Sequence, residues 1–120
     1  MKIDPLRLRH VEEVAERAAA EVQGLRRRQS ELSDDAAHAN HHLRSEEERL
    51  SHRGTPKGVE RDEWVAEVLQ EPRAQAATVH QELERTSALL SDAVERHSAA
   101  RQLADRCREY VTNENQEAAQ

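Results

Sequence analysis

Apolar residues recur along this chain in steps of three and four, and they do so in two separate runs. The first stripe is Leu8, Val11, Ala15, Ala18, Val22, Leu25, Gln29, Leu32, Ala36, Ala39, Leu43, Glu46 and Leu50. The second is Val65, Leu69, Pro72, Ala76, Val79, Leu83, Thr86, Leu90, Ala93, His97, Ala100, Ala104, Cys107 and Val111. A period of 3.5 residues keeps one seam of a helix facing a partner helix. Between the stripes, Ser51 to Gly58 gathers two glycines and a proline, the residues that punctuate helices. The pattern predicts an all-α fold: a long antiparallel two-helix hairpin, or coiled coil, forming a single helical-hairpin domain over residues 1–120. Its parts are a first helix over about 5–50, a turn over 51–59, a second helix over about 60–114 and a flexible tail over 115–120. Asp4-Pro5 marks the first start, because Asp caps a helix well and Pro suits its first position.

In an antiparallel pair each a position faces a d position, so facing residue numbers add to a constant. A sum of 108 matches every layer, setting Leu43 against Val65, Leu32 against Ala76, Leu25 against Leu83, Ala18 against Leu90 and Val11 against His97. That register centres the hairpin on Gly54 and places Pro72 opposite Ala36, beside Asp34-Asp35 and the His38 to His42 cluster. A register one heptad away also matches a to d. Pro72 predicts a kink or break in the second helix, since its ring clashes with the preceding turn and it lacks an amide hydrogen. Ser33-Asp34-Asp35 resembles a helix start and offers a local break in the first helix, although the stripe keeps its phase there.

The second helix is apolar beyond its seam. Leu89, Val94 and Leu103 flank Leu90, Ala93 and Ala104, and Val68 flanks Leu69, so the stripe is wider than one facing helix covers. Val14 and Ala19 flank the first seam in the same way. Val68, Leu83, Leu89, Leu90, Val94 and Leu103 are therefore the expected partner interface, completing a four-helix bundle with another helical protein or with a second copy.

Composition narrows the function. Charged residues make up 35% of the chain and aromatics 2%, as in long solvent-washed helices. A net charge of -6 argues against nucleic acid as the ligand, and Arg26-Arg27-Arg28 reads as a solvated patch pairing with nearby Glu. No segment is apolar for long enough to insert in a membrane, and the N-terminus lacks a secretory pattern, so synthesis in the cytoplasm is expected. Cys107 occupies a seam position and reads as a packing residue.

Histidine is the one ligand type in excess. His38 and His42 share a helical face and His41 adjoins them, yet they sit at c and g heptad positions, with neither a Cys pair nor a His-Glu-x-x-His pattern to complete a zinc site. The expectation is no metal and no cofactor. A di-iron carboxylate site needs inward Glu-x-x-His pairs, and Glu46 is the one acid in either seam. Nothing resembles a nucleophile elbow or a phosphate loop, so no catalytic residue and no enzyme activity are expected.

Residues Met1 to Ala19, with an Ile-Asp-Pro lead into a helix rich in Leu, Arg and Ala, resemble the start of small actinobacterial helical hairpins associated with type VII (ESX) secretion, the WXG-type and EspC-like groups. In those groups the second helix commonly ends in Tyr-x-x-x-Asp/Glu, and Tyr110-Val111-Thr112-Asn113-Glu114 stands in that place. The resemblance implies a secretion substrate, partner or targeting factor for a larger secreted effector, exported without a cleavable signal, with Tyr110 and Glu114 as its export signal. The chain departs from the pattern in lacking a Trp-x-Gly turn, since Trp64 is followed by Val65 and Ala66. The same stripes equally suit a cytosolic coiled-coil adaptor, chaperone or scaffold of another assembly.

Overall fold

The computed structural model describes residues 4–52 and 59–119. Two helices make up the fold, α1 over Pro5–His52 and α2 over Val59–Ala119, paired antiparallel as a hairpin. Residues 53–58, which include the expected centre of the turn at Gly54, lie outside the described residues. Asp4 caps α1 as its side chain predicts: Oδ1 accepts from the Leu6 amide at 3.0 Å, while its carbonyl accepts from Arg7 at 2.9 Å and Leu8 at 3.1 Å. The helix passes through Gly24 and Ser33-Asp34-Asp35 without interruption.

α2 runs unbroken through Pro72, so the break open to it there does not occur. Proline removes the amide that would bond the Val68 carbonyl, and that cost is confined to one turn. Its ring is buried at a d position, where it supplies apolar surface to the seam. The helix also extends beyond its expected end. Residues 115–119, expected as part of a tail, continue it, and Gln120 lies outside the described residues.

The chain contacts fall into two compact units. A terminal unit joins Met1–Arg27 to Ala88–Gln120, and a central unit spans Arg28–Ser87. Within the described residues every stripe position is buried or half-buried, so the heptad pattern marks the seam faithfully on both helices. The buried side chains differ in size between the units. In the central unit Leu32, Ala36, Leu50, Leu69, Pro72, Ala76 and Thr86 are buried, with Leu32 and Leu69 almost fully so. The terminal unit buries Val22, Ala93 and Ala104.

Cross-helix polar contacts fix the register and correct the expected one. Glu12–Arg108 and Asn40–His80 join e positions and their numbers add to 120, whereas Glu21–Arg96 and Arg28–Glu82 join g positions and add to 117 and 110. A facing a-to-d sum of 115 accommodates all four. The expected sum of 108 strands the pairs at 120 and 117, so the observed register is shifted by one heptad.

The physical reason lies at Gln29, the uncharged polar residue inside the first stripe. At 108 it would face Val79, while Thr86 would face Val22; at 115 Gln29 and Thr86 share a layer. Gln29 Nε2 donates to Ser87 Oγ at 3.0 Å beside Thr86, which is 8% exposed. No buried side-chain polar atom among the described residues lacks a partner. Polar on polar thus avoids two layers in which an amide or hydroxyl would be desolvated against a valine. Pro72 accordingly stands level with Leu43 and not with Ala36.

Candidate functional site

The g–g and e–e contacts define two edges for each helix pair, with the g positions of both helices along one side of the seam. Exposed large apolar residues concentrate on one of these edges. Among the described residues Leu6, Val14, Leu89, Val94, Leu103 and Tyr110 are the large hydrophobics left exposed, and all six belong to the terminal unit. Val14, Leu89, Leu103 and Tyr110 occupy g positions, at 39%, 47%, 52% and 41% exposure. Leu6 is at an f position, and Val94 lies alone on the e edge.

An open groove of about 460 Å³ runs along this edge, lined by His10, Val14, Arg17, Ala18, Glu21, Arg96 and Ala100. Val14, Ala18 and Ala100 make its apolar floor. Arg96 Nη2 binds Glu21 Oε1 at 2.8 Å and closes one side with a pair of opposite charges. Arg17 donates through Nε to the Glu13 carbonyl at 3.4 Å, and no ion pair among the described residues engages it. On the opposite edge, Arg108 meets Glu12 at 2.9 Å and Asp105 at 3.4 Å. The Glu12 hydrogen bond and charge hold the Arg108 guanidinium above its ordinary value.

The six residues expected to form a partner interface divide into three groups. Leu83 and Leu90 are half-buried seam residues, level with Leu32 and Leu25, and are used within the hairpin. Val68 is half-buried in the central unit. Leu89 and Leu103 share the g edge of the terminal unit, and Val94 lies on its e edge. Val14 and Tyr110 join Leu89 and Leu103 on that edge. Their g positions carried this information, but only once the pairing of the helices set which edges coincide.

Tyr110 and Glu114 line one shallow groove with Asn113 and Glu117 near the end of α2. They are not equivalent. Tyr110 is exposed, whereas Glu114 is half-buried at the next d step after Val111, so its side chain prolongs the seam.

His38 and His42 line a second open groove of about 570 Å³ in the central unit, with Ala39, Glu71, Ala74, Gln75, Thr78 and Val79. His41 is exposed and outside it. Among the described residues no group of three or more His, Cys, Asp or Glu side chains is placed to hold a metal ion. Cys107 is a half-buried free thiol at the seam, level with Leu8. Among the same residues no helix is long and apolar enough to cross a membrane. No family model, curated protein or solved structure matches this chain.

Proposed function

We propose that this chain is a non-enzymatic helical-hairpin interaction protein that pairs with another helical protein through the g edge of its terminal unit. The observation that carries the reading is the confinement of the exposed large apolar residues to that unit, four of the six along one edge. Surface area adds weight. The chain exposes 9444 Å², whereas a compact monomer of this length exposes on the order of 6,600 Å². A helix laid along Val14, Leu89, Leu103 and Tyr110 would remove apolar surface at about 25 cal/mol per Å².

The narrower role, a type VII secretion substrate, partner or targeting factor for a larger effector, is supported by the resemblance of Met1 to Ala19 and of Tyr110 to Glu114. Its test is export of a Tyr110→Ala variant from the native host, where unchanged export would remove that role. The broader reading is tested by light scattering on the purified chain, alone and after affinity capture from host lysate, using wild type and Leu89→Glu/Leu103→Glu. A defined complex with a helical protein, lost in the double variant while circular dichroism is unchanged, is the expected result. A wild type that stays monomeric and captures nothing contradicts it.

A further inference from the structure

The seam matches itself in a second register, and one polar layer opposes it. At a facing sum of 108 Leu25 meets Leu83, Leu32 meets Ala76, Ala39 meets Leu69 and Leu43 meets Val65, so apolar residues again meet apolar residues. The losses are polar. Gln29 would face Val79, buried Thr86 would face Val22, and the hydrogen bond of 3.0 Å from Gln29 to Ser87 would break. The Glu12–Arg108 and Glu21–Arg96 pairs would part and Glu46 would stand level with Asp62. Each side chain of those two pairs is a third or more exposed, so each pair weighs little. Glu46 keeps Arg49 of its own helix at 3.4 Å in either register. A buried amide or hydroxyl without a partner weighs more.

We infer that the hairpin is a two-register device, latched at 115 by the layer of Gln29, Thr86 and Ser87, and that slipping to 108 takes the terminal edge apart. At 115 the g residue of α2 nearest Val14 is Leu103, and the one nearest Glu21 is Arg96. At 108 Val14 is level with Arg96 and Leu103 with Arg7, so the apolar contact of the edge is replaced by two contacts with charge. Leu89 lies beside a charge in both registers, Arg28 at 115 and Glu21 at 108. The slip is about 10 Å, seven residues of helical rise. Each helix runs unbroken through residues of both units, so a latch in the central unit also sets the register at the terminal edge. A partner that binds the edge as it stands at 115 selects that register by its differential affinity. This last consequence rests on the reading that the edge binds a helix, whereas the latch does not.

The test is the rate of disulfide trapping in the full chain with Cys107→Ser, where Ala15→Cys/Ala100→Cys reports register 115 and Ala15→Cys/Ala93→Cys reports register 108. With the polar layer intact the 108 pair should oxidise roughly a hundredfold more slowly, the scale of buried polar groups left without partners. Gln29→Leu/Thr86→Leu sets leucine on leucine at 115 and leucine on valine at 108, and should bring the two rates within about tenfold, the remainder being the exposed ion pairs. Equal rates with the layer intact, or a 108 pair still a hundredfold slower in the double variant at unchanged helicity by circular dichroism, overturn the inference. If the double variant loses helicity, the nearly isosteric Thr86→Val/Ser87→Ala decides: the 108 rate should rise about tenfold, and an unchanged rate overturns the inference. Capture of host protein by Leu89→Glu/Leu103→Glu as by wild type would remove the reading of the edge and leave the latch standing.

Discussion

The two units are built from one heptad grammar and differ in what they leave over. The central unit carries 8 Lys and Arg against 13 Asp and Glu, a net of -5, and exposes no large apolar residue among those described. The terminal unit carries 10 against 11, a net of -1, and exposes six. Their seams differ in the same sense, with Leu32, Leu50 and Leu69 buried in one and Val22, Ala93 and Ala104 in the other. A seam of small residues lets helices approach but removes little apolar area, and leucines placed one position outside it remain wet. The lesson is that a continuous heptad pattern can support two different roles: one stretch satisfies itself, and another is left for a partner.

Cross-linking gives the largest contrast and tests the register in both units. In a Cys107→Ser background, Ala39→Cys with Ala76→Cys in the central unit and Ala15→Cys with Ala100→Cys in the terminal unit should oxidise to near completion. The alternatives one heptad away, Ala39→Cys with Leu69→Cys and Ala15→Cys with Ala93→Cys, should stay reduced on non-reducing gels. Disulfides in the second set would show that the two units do not share the register read from their polar contacts.

Next in size is the seam itself. Leu69→Ala should cost about 3 kcal/mol in urea denaturation, because a leucine that is 1% exposed leaves a cavity. Ser87→Ala, which takes the hydroxyl from Gln29, should cost about 1 kcal/mol. Gly24→Ala should add about 0.5–1 kcal/mol, since the glycine is exposed mid-helix and an added methyl meets nothing within 4 Å. Leu103→Ser, on the exposed edge, should change stability by less than about 0.5 kcal/mol. A loss at Leu103 as large as that at Leu69 would mean that the terminal edge is structural, and the contrast between the units would fail.

Much of the fold is legible in the residue pattern because helix and seam depend on neighbours three and four apart. The Asp4 cap, the starts of both helices and the buried face are local properties of that kind. Pro72 and the last residues of α2 are read less well. Proline's cost is local, while the seam on both sides holds the helix continuous, and residues 115–119 continue it past the last apolar step, where the pattern gives no signal. The edge was only half legible: Leu89 and Leu103 stand out as apolar flanks, but so do Val68 and Val94, which lie elsewhere.

Taken alone, the sequence determines two antiparallel heptad helices and the side of each that is buried, because a 3.5-residue period has one solution for a helix facing a helix. It does not determine the register, because a match of a to d repeats every heptad and 108 and 115 satisfy the apolar residues alike. Tertiary structure decides between them through the polar minority: Gln29 beside Thr86 and Ser87, and the Glu12–Arg108 and Glu21–Arg96 pairs, can be satisfied together in one register. That choice also decides which flanking residues of α1 and α2 meet along one edge. Val14, Leu89, Leu103 and Tyr110 become a single surface only after the helices are paired.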